Sequence, residues 1–325
     1  MSLQRRILAI KLISILLVNL VLAQSDVQPM PEPTTVYTCG DDFQPVDLLF
    51  DSKGYLYSTS PHLTEMGGIQ SIPYTLEFQP FNLALGSVYK HENDRCEVFA
   101  DKIFRPFGLS DFGEDLCFNY TKLNETNFAG HILRCYDDGN YVEQPLNSYS
   151  VMNDLLTSKQ NTWVAFGGAL DIESLFGFLV NQHSRAIIQL PSVPHFIARL
   201  DNDKMLVSHF GYSTIALTPL SDKSTLVGAT SNGITIVNIN DGSTKSFTQN
   251  MVMPSGVVAI EGKVWVADYR EGSLRKLKNT GEVEVMYTGL QGPMGMEQAP
   301  NGDLCIAEML GGRISCYSLA SLGLE

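Results

Sequence analysis

The chain has 325 residues, with 35 Asp+Glu against 22 Lys+Arg, 44% apolar residues and six cysteines. That is one large domain or two small ones with ample sequence for a buried core. The charged fraction of 18% with 10% aromatics excludes an extended disordered chain, and the net charge of −13 excludes a nucleic-acid partner, which needs clustered cations.

Arg5 and Arg6 precede an apolar stretch from Ile13 to Leu22, which closes on Val21-Leu22-Ala23. A basic start, an apolar middle and small residues at −3 and −1 predict a secretory signal peptide, residues 1–23, cleaved after Ala23. Lys11 and Asn19 interrupt a run already short for a bilayer, and no later segment is long enough to span, so no membrane partner is expected. Cleavage removes Arg5, Arg6 and Lys11 and no acid, which takes the net charge from −13 to −16. The expected location is the lumen of the secretory pathway or the cell exterior. Residues 24–34, with three prolines, read as an extended lead-in, and residues 35–325 as a single domain.

Six cysteines in an exported chain predict three disulfides. Asp115-Leu116-Cys117-Phe118, followed by Gly130 to Tyr136 around Cys135, matches Asp303-Leu304-Cys305-Ile306, followed by Gly312 to Tyr317 around Cys316. The same two-strand unit carries a cysteine on each strand. Cys117 therefore pairs with Cys135 and Cys305 with Cys316, which leaves Cys39 with Cys96. No Cys-x-x-Cys or Cys/His spacing supports zinc, and no metal ligand is assigned. Asn119 and Asn124 head glycosylation sequons; Asn124 lies in the loop expected between Cys117 and Cys135 and is the better acceptor.

A short apolar entry, often opened by proline, leads to a polar turn and an alternating strand, and this unit recurs along the chain. Its copies start at Pro45, Pro106, Met152, Pro194, Pro254 and Pro293. Period-2 strands separated by Gly, Asn and Asp turns indicate antiparallel sheet. Units too small to bury a core alone predict an all-β, six-bladed β-propeller, with roughly 45 residues per blade. An extra hairpin, Ser224–Gly228 with Gly233–Val237, leaves a seventh, degenerate blade open. The last blade lacks its outer strand, and Thr35–Thr38 is expected to supply it and so remove an exposed edge. Leu170–Val180 has spacing that suits a short helix over one face or a long irregular loop.

The repeated Pro-x-Gly/Asp-apolar, Asn-Gly-Asp/Lys-apolar-x-apolar-Ala-Asp/Glu and Gly-x-Ile/Leu elements resemble the gluconolactonase, strictosidine synthase-like and NHL-repeat propellers. The resemblance spans nearly the whole mature chain and implies the fold. It leaves function open, because these propellers include metal-dependent lactonases, a Pictet-Spengler condensing enzyme, pericyclic cyclases and binding modules.

Aligning the repeats predicts two rings at one mouth of the channel. The inner ring is Val46, Phe107, Asn153, His195, Ser255 and Met294. The outer ring is Thr59, Tyr120, Phe166, His209, Asp268 and Glu308. Of these, Val46, Thr59, Phe107, Tyr120, Asn153, Phe166, Ser255 and Met294 are expected to form a largely apolar cup for substrate. Glu308, Asp268, His209 and His195 on its rim are the candidate acid–base groups; resemblance to the strictosidine synthase-like branch implies Glu308 in that role.

The lactonase branch holds a calcium-type ion with Glu, Asn and Asp. Only Asn153 matches here, although Asp47, Asp154 and Asp268 converge if the register slips by one. There is no Gly-x-Ser-x-Gly elbow, His-Glu-x-x-His, Walker loop or dinucleotide fingerprint. The expected function is binding of a small, mainly apolar organic molecule and its metal-free cyclisation or condensation, with no cofactor. The alternatives are a Ca2+-dependent lactonase or esterase, and a noncatalytic binding protein.

Overall fold

Leu304, Cys305, Ile306, Ala307 and Glu308 form a strand buried on both faces, and Leu56 to Ser60 forms another. Such strands have a partner on each edge and a neighbouring sheet on each face, so the sequence alternation is filled in by small or paired polar residues. The computed structural model describes residues 27–61, 85–92, 95–104, 106–112, 115–123, 128–137, 140–146, 151–158, 161–169, 175–190, 193–200, 204–210, 233–238, 240–247, 251–278 and 280–323. The predicted signal peptide and Asn124 lie outside them. Among the described residues there is no helix, and none long and apolar enough to cross a membrane.

The strands form six small sheets. From the inside outwards, blade 1 holds β3 (Leu48–Phe50), β4 (Leu56–Ser60), β5 (Gly86–Glu92) and β6 (Arg95–Ile103). Blade 2 holds β7 (Leu109–Phe112), β8 (Asp115–Leu123), β9 (Phe128–Asp137) and β10 (Asn140–Leu146). Blade 3 holds β11 (Val151–Ser158), β12 (Asn161–Ala169), β13 (Leu175–Asn181) and β14 (Ile187–Leu190). Blade 4 holds β15 (Val193–Arg199), β16 (Lys204–Phe210), β17 (Gly233–Asn238) and β18 (Thr244–Phe247). Blade 5 holds β19 (Pro254–Ile260), β20 (Lys263–Asp268), β21 (Ser273–Leu277) and β22 (Val283–Thr288). Blade 6 holds β23 (Pro293–Gln298), β24 (Leu304–Glu308) and β25 (Arg313–Tyr317). Each innermost strand packs on the next, and β23 packs back on β3, which closes the ring.

The first described residues complete this closure. β2 (Thr35–Tyr37) is the outer strand of blade 6, with Tyr37 opposite Ile314 of β25. The lead-in is more than extended chain, because β1 (Gln28–Pro29) runs parallel to β22 of blade 5. Met30 N donates to Thr288 O and Thr34 N to Cys316 O, both at 2.8 Å. These residues strap the open edges of two adjacent blades. All three expected disulfides are present. Two join directly opposed strand residues; Cys39–Cys96 ties the end of the strap to β6.

Two expectations change. Gly233–Asn238 is the third strand of blade 4, pairing with β16 and β18, so no seventh blade is needed; residues 224–228 lie outside the described chain. Leu175–Asn181 is a strand held between β12 and β14, because sheet partners on both edges override a helical apolar spacing.

Neighbouring blades approach so closely that Gly256 has no room for a side chain: a Cβ there would stand 2.1 Å from Met294 O. Gly256→Ala is expected to destabilise the protein by about 2 kcal/mol, seen as a lower urea midpoint. An unchanged midpoint would mean that blades 5 and 6 are not in contact here.

Candidate functional site

Every innermost strand begins with the same irregularity. The ladder slips between Met152 and Asp154, Pro194 and Phe196, Pro254 and Val257, and Pro293 and Met296. In blade 1, Val46 N donates to Thr59 O and Thr59 N to Asp47 O; in blade 2, Phe107 N donates to Asn119 O and Asn119 N to Gly108 O. A bulge adds one residue on one strand and re-aims the side chains beyond it. The residue aligned across blades just after each bulge is Asp47, Gly108, Asp154, Phe196, Gly256 or Gly295, one position after the predicted inner ring, and of these Asp47 and Phe196 line the central cavity.

The consequence for that ring is direct. Val46, Phe107 and Met294 are buried in the core between blades. Ser255 is also buried, and its Oγ donates to Pro293 O of the next blade at 2.6 Å. Asn153 and His195 are the bulged residues of β11 and β15, and their side chains lie outside the described set. Instead of an apolar cup built from these residues, the structure has a central cavity of about 350 Å³ walled by β3, β7, β15, β19 and β23, with a predominantly polar surface. Asp47 and Phe196 line it at the level of the bulges; Leu109, Ile197, Val257 and Met296 follow, then Ser110, Arg199 and Glu297.

Asp47 is the titratable group this architecture singles out. It is 7% exposed. Its Oδ1 accepts Leu48 N at 2.9 Å and its Oδ2 accepts Leu109 N of the next blade at 2.7 Å. Its own N–H donates to Thr59 Oγ1 at 3.1 Å. From the other side Gly295 N donates to Val46 O, and a Cβ on Gly295 would stand 2.8 Å from Asp47 Oδ1. Blades 6, 1 and 2 thus converge on one carboxyl group. Burial raises its pKa from 3.8 to about 7, against the pull of the two N–H bonds.

The outer ring serves the frame. Thr59 is one position early: Ser60 is the residue level with Asp268 and Glu308, while Thr59 bridges blades by donating to Phe107 O at 2.8 Å. Asn119 and Ser208 repeat that bridge position, accepting Gly108 N and Phe196 N. Asn119 is 1% exposed, so the folded chain has no room for a glycan there. Tyr120 lies in the core between blades 1 and 2, and its hydroxyl donates to Glu143 Oε1 at 2.7 Å. Phe166 and His209 are strand partners of Met152 and Pro194, with side chains outside the described set.

Glu308 and Asp268, expected as acid–base groups, are both 0% exposed and cap turns. Glu308 accepts from Gln291 N (2.8 Å), Arg313 Nε (2.9 Å) and Ser315 Oγ (2.5 Å). Asp268 accepts from Val252 N (2.8 Å) and Met253 N (3.1 Å), with Arg275 Nη2 at 3.4 Å. Arg275 also bonds Glu271. Each carboxylate ends a second strand where the following turn leaves N–H groups and an arginine to be satisfied. Asp268 is accordingly not among the channel-lining residues with Asp47.

No protein-family profile and no curated protein sequence matches this chain. Solved structures do. A virginiamycin B lyase from Staphylococcus aureus, determined with quinupristin, aligns over 88% of both chains with a TM-score of 0.52 at 12% identity. The WD40 β-propeller domain of Doa1 aligns over 88% of this chain and 96% of its own, with a TM-score of 0.53 at 9% identity. At such identities the likeness concerns architecture, and on that evidence and its own six sheets the chain is a six-bladed β-propeller.

Proposed function

We propose that this protein is an exported small-molecule propeller enzyme that binds an organic substrate in its central channel and assists a cyclisation, condensation or related bond rearrangement by proton transfer at Asp47. The observation that carries the reading is the Asp47 carboxyl on the cavity wall, buried and poised near neutral pH. A group with a pKa near the working pH serves as both acid and base. The cavity size suits a small organic ligand, and Asp47, Arg199 and Glu297 on its wall suit one that carries polar groups. Three disulfides fit an oxidising, secretory setting. A fold neighbour that is a lyase, solved with a small-molecule antibiotic, supports the ligand class.

The test uses N-phenyl-1-naphthylamine, a neutral apolar fluorophore, as reporter for ligand screening. One probe per protein is expected, with at least tenfold weaker binding to Ala198→Trp, which fills the cavity. In any reaction found among ligands that displace the probe, Asp47→Asn is expected to lower kcat by about 10²-fold or more while leaving binding within a few-fold. Probe binding unaffected by Ala198→Trp would overturn the channel site; full activity of Asp47→Asn would overturn the proton-transfer role.

A further inference from the structure

A second cluster of reactive groups lies away from the channel, where the strap meets blade 1. Cys39 follows β2, Cys96 lies on β6, and His91 lies on β5 directly opposite Cys96. The sequence gives no metal-ligand spacing for these residues; strand pairing and strap closure bring them together. One ligand atom from each lies within 4.8 Å of the others. We propose that this cluster is a redox-gated metal site: once the Cys39–Cys96 disulfide is reduced, the two sulfurs and His91 Nδ1 hold a soft divalent ion of the zinc type, with water as fourth ligand.

Three features support the assignment. His91 Nδ1 is 3.7 Å from Cys39 Sγ, close to the roughly 3.5 Å that separates nitrogen and sulfur ligands around tetrahedral zinc with bonds of about 2.0 and 2.3 Å. The far side of the ring is anchored, with Nε2 2.8 Å from Ser58 Oγ. In the tautomer that donates Nε2–H to Ser58, Nδ1 turns its lone pair towards the sulfurs, as a ligating imidazole needs. The ring is also held between Tyr37, 5.4 Å away edge-on, and Phe43 at 5.8 Å. Finally, Cys39 and Cys96 are both half-buried, whereas each other disulfide has a cysteine at 0% exposure, Cys117 or Cys305. A reductant therefore reaches this pair most readily.

The chemistry balances with a dithiol as reductant. Its thiolate attacks one sulfur, the Cys39–Cys96 bond breaks, and the reagent closes to its own disulfide, leaving two protein thiols. Binding of the divalent ion then displaces two protons, one from each thiol, to solvent.

The experiment is anaerobic reduction of the folded protein with dithiothreitol, removal of the reagent and titration with Co2+, with alkylation and peptide mapping to identify the reduced cysteines. One equivalent of Co2+ is expected to give thiolate-to-cobalt absorption in the near ultraviolet, bleached by Zn2+. Cys39→Ala/Cys96→Ala is expected to abolish the band, and His91→Ala to weaken Co2+ binding at least tenfold. Cys39 and Cys96 that resist reduction while the fold persists would overturn the proposal. So would reduced thiols with no cobalt band, or a band that survives in the double variant. Should His91→Ala fail to fold, pulsed electron paramagnetic resonance of the wild-type Co2+ complex decides, since a site without imidazole lacks nitrogen hyperfine coupling to the bound ion.

Discussion

Asp47→Asn is expected to change how stability depends on pH, by about 4 kcal/mol relative to the wild type between pH 4 and pH 7. The folded protein holds the Asp47 proton up to about pH 7, and the unfolded chain releases it near 3.8. Between these values the native state binds more protons, so this group's contribution is fully present below about pH 4 and is lost as pH rises to about 7. At 1.36 kcal/mol per pKa unit, the span amounts to about 4 kcal/mol. His91 acts in the opposite sense. Burial lowers its pKa from 6.5 to about 4, so its contribution is present above about pH 6.5 and is lost as pH falls to about 4, roughly 3 kcal/mol. In the wild type the two contributions nearly cancel. Removing Asp47 leaves the His91 contribution without this counterweight, so the variant loses stability on acidification more steeply than the wild type. Urea unfolding at pH 4, 5, 6, 7 and 8 measures this directly; parallel profiles for Asp47→Asn and wild type would refute the buried neutral carboxyl.

Glu308→Ala is expected to cost about 2–4 kcal/mol at neutral pH, because it leaves donors around a fully buried carboxylate site without an acceptor. Gln291 N loses its 2.8 Å acceptor, Ser315 Oγ its 2.5 Å acceptor, and Arg313 both of its bonds to this group. Thermal melting and denaturant titration read the loss. A capping role also predicts that Glu308→Gln, which keeps one acceptor oxygen but sets an amide against donors, falls between the two. A Glu308→Gln protein of wild-type stability that loses only activity would return this residue to the acid–base role its place at a strand end suggests.

The architecture was legible because each of its determinants is local and repeated. Six apolar entries, six alternating strands, and cysteines at matched places in two hairpins name blades and crosslinks without three-dimensional information. The site was less legible because it depends on a one-residue bulge in each inner strand, which a repeat alignment does not reveal. The bulge sends Val46 and Met294 into the core and gives the channel position to Asp47. A signal was present: that position is glycine in blades 2, 5 and 6 and aspartate in blades 1 and 3, and at Gly256 and Gly295 the neighbouring backbones nearly touch. Glu308 and Asp268 misled for a related reason. A carboxylate at a strand end looks alike in sequence whether it faces a cavity or the turn behind it, and Arg275 and Arg313, a few residues downstream, are what decide.

The strap has a consequence for folding. Residues 35–37 are made well before their partner strand, residues 313–317, with five blades of sequence between them. The first blades can assemble during synthesis, but the ring stays open until residues 313–317 are made. Closing a loop of that length costs entropy that no local contact repays beforehand. The final joining of blades 5 and 6 to residues 28–37 is therefore the natural slow step, and a chain lacking either partner should stall as the same open arc. Joining the two ends and cutting instead between two middle blades would turn that late, long-range closure into a contact between sequence neighbours.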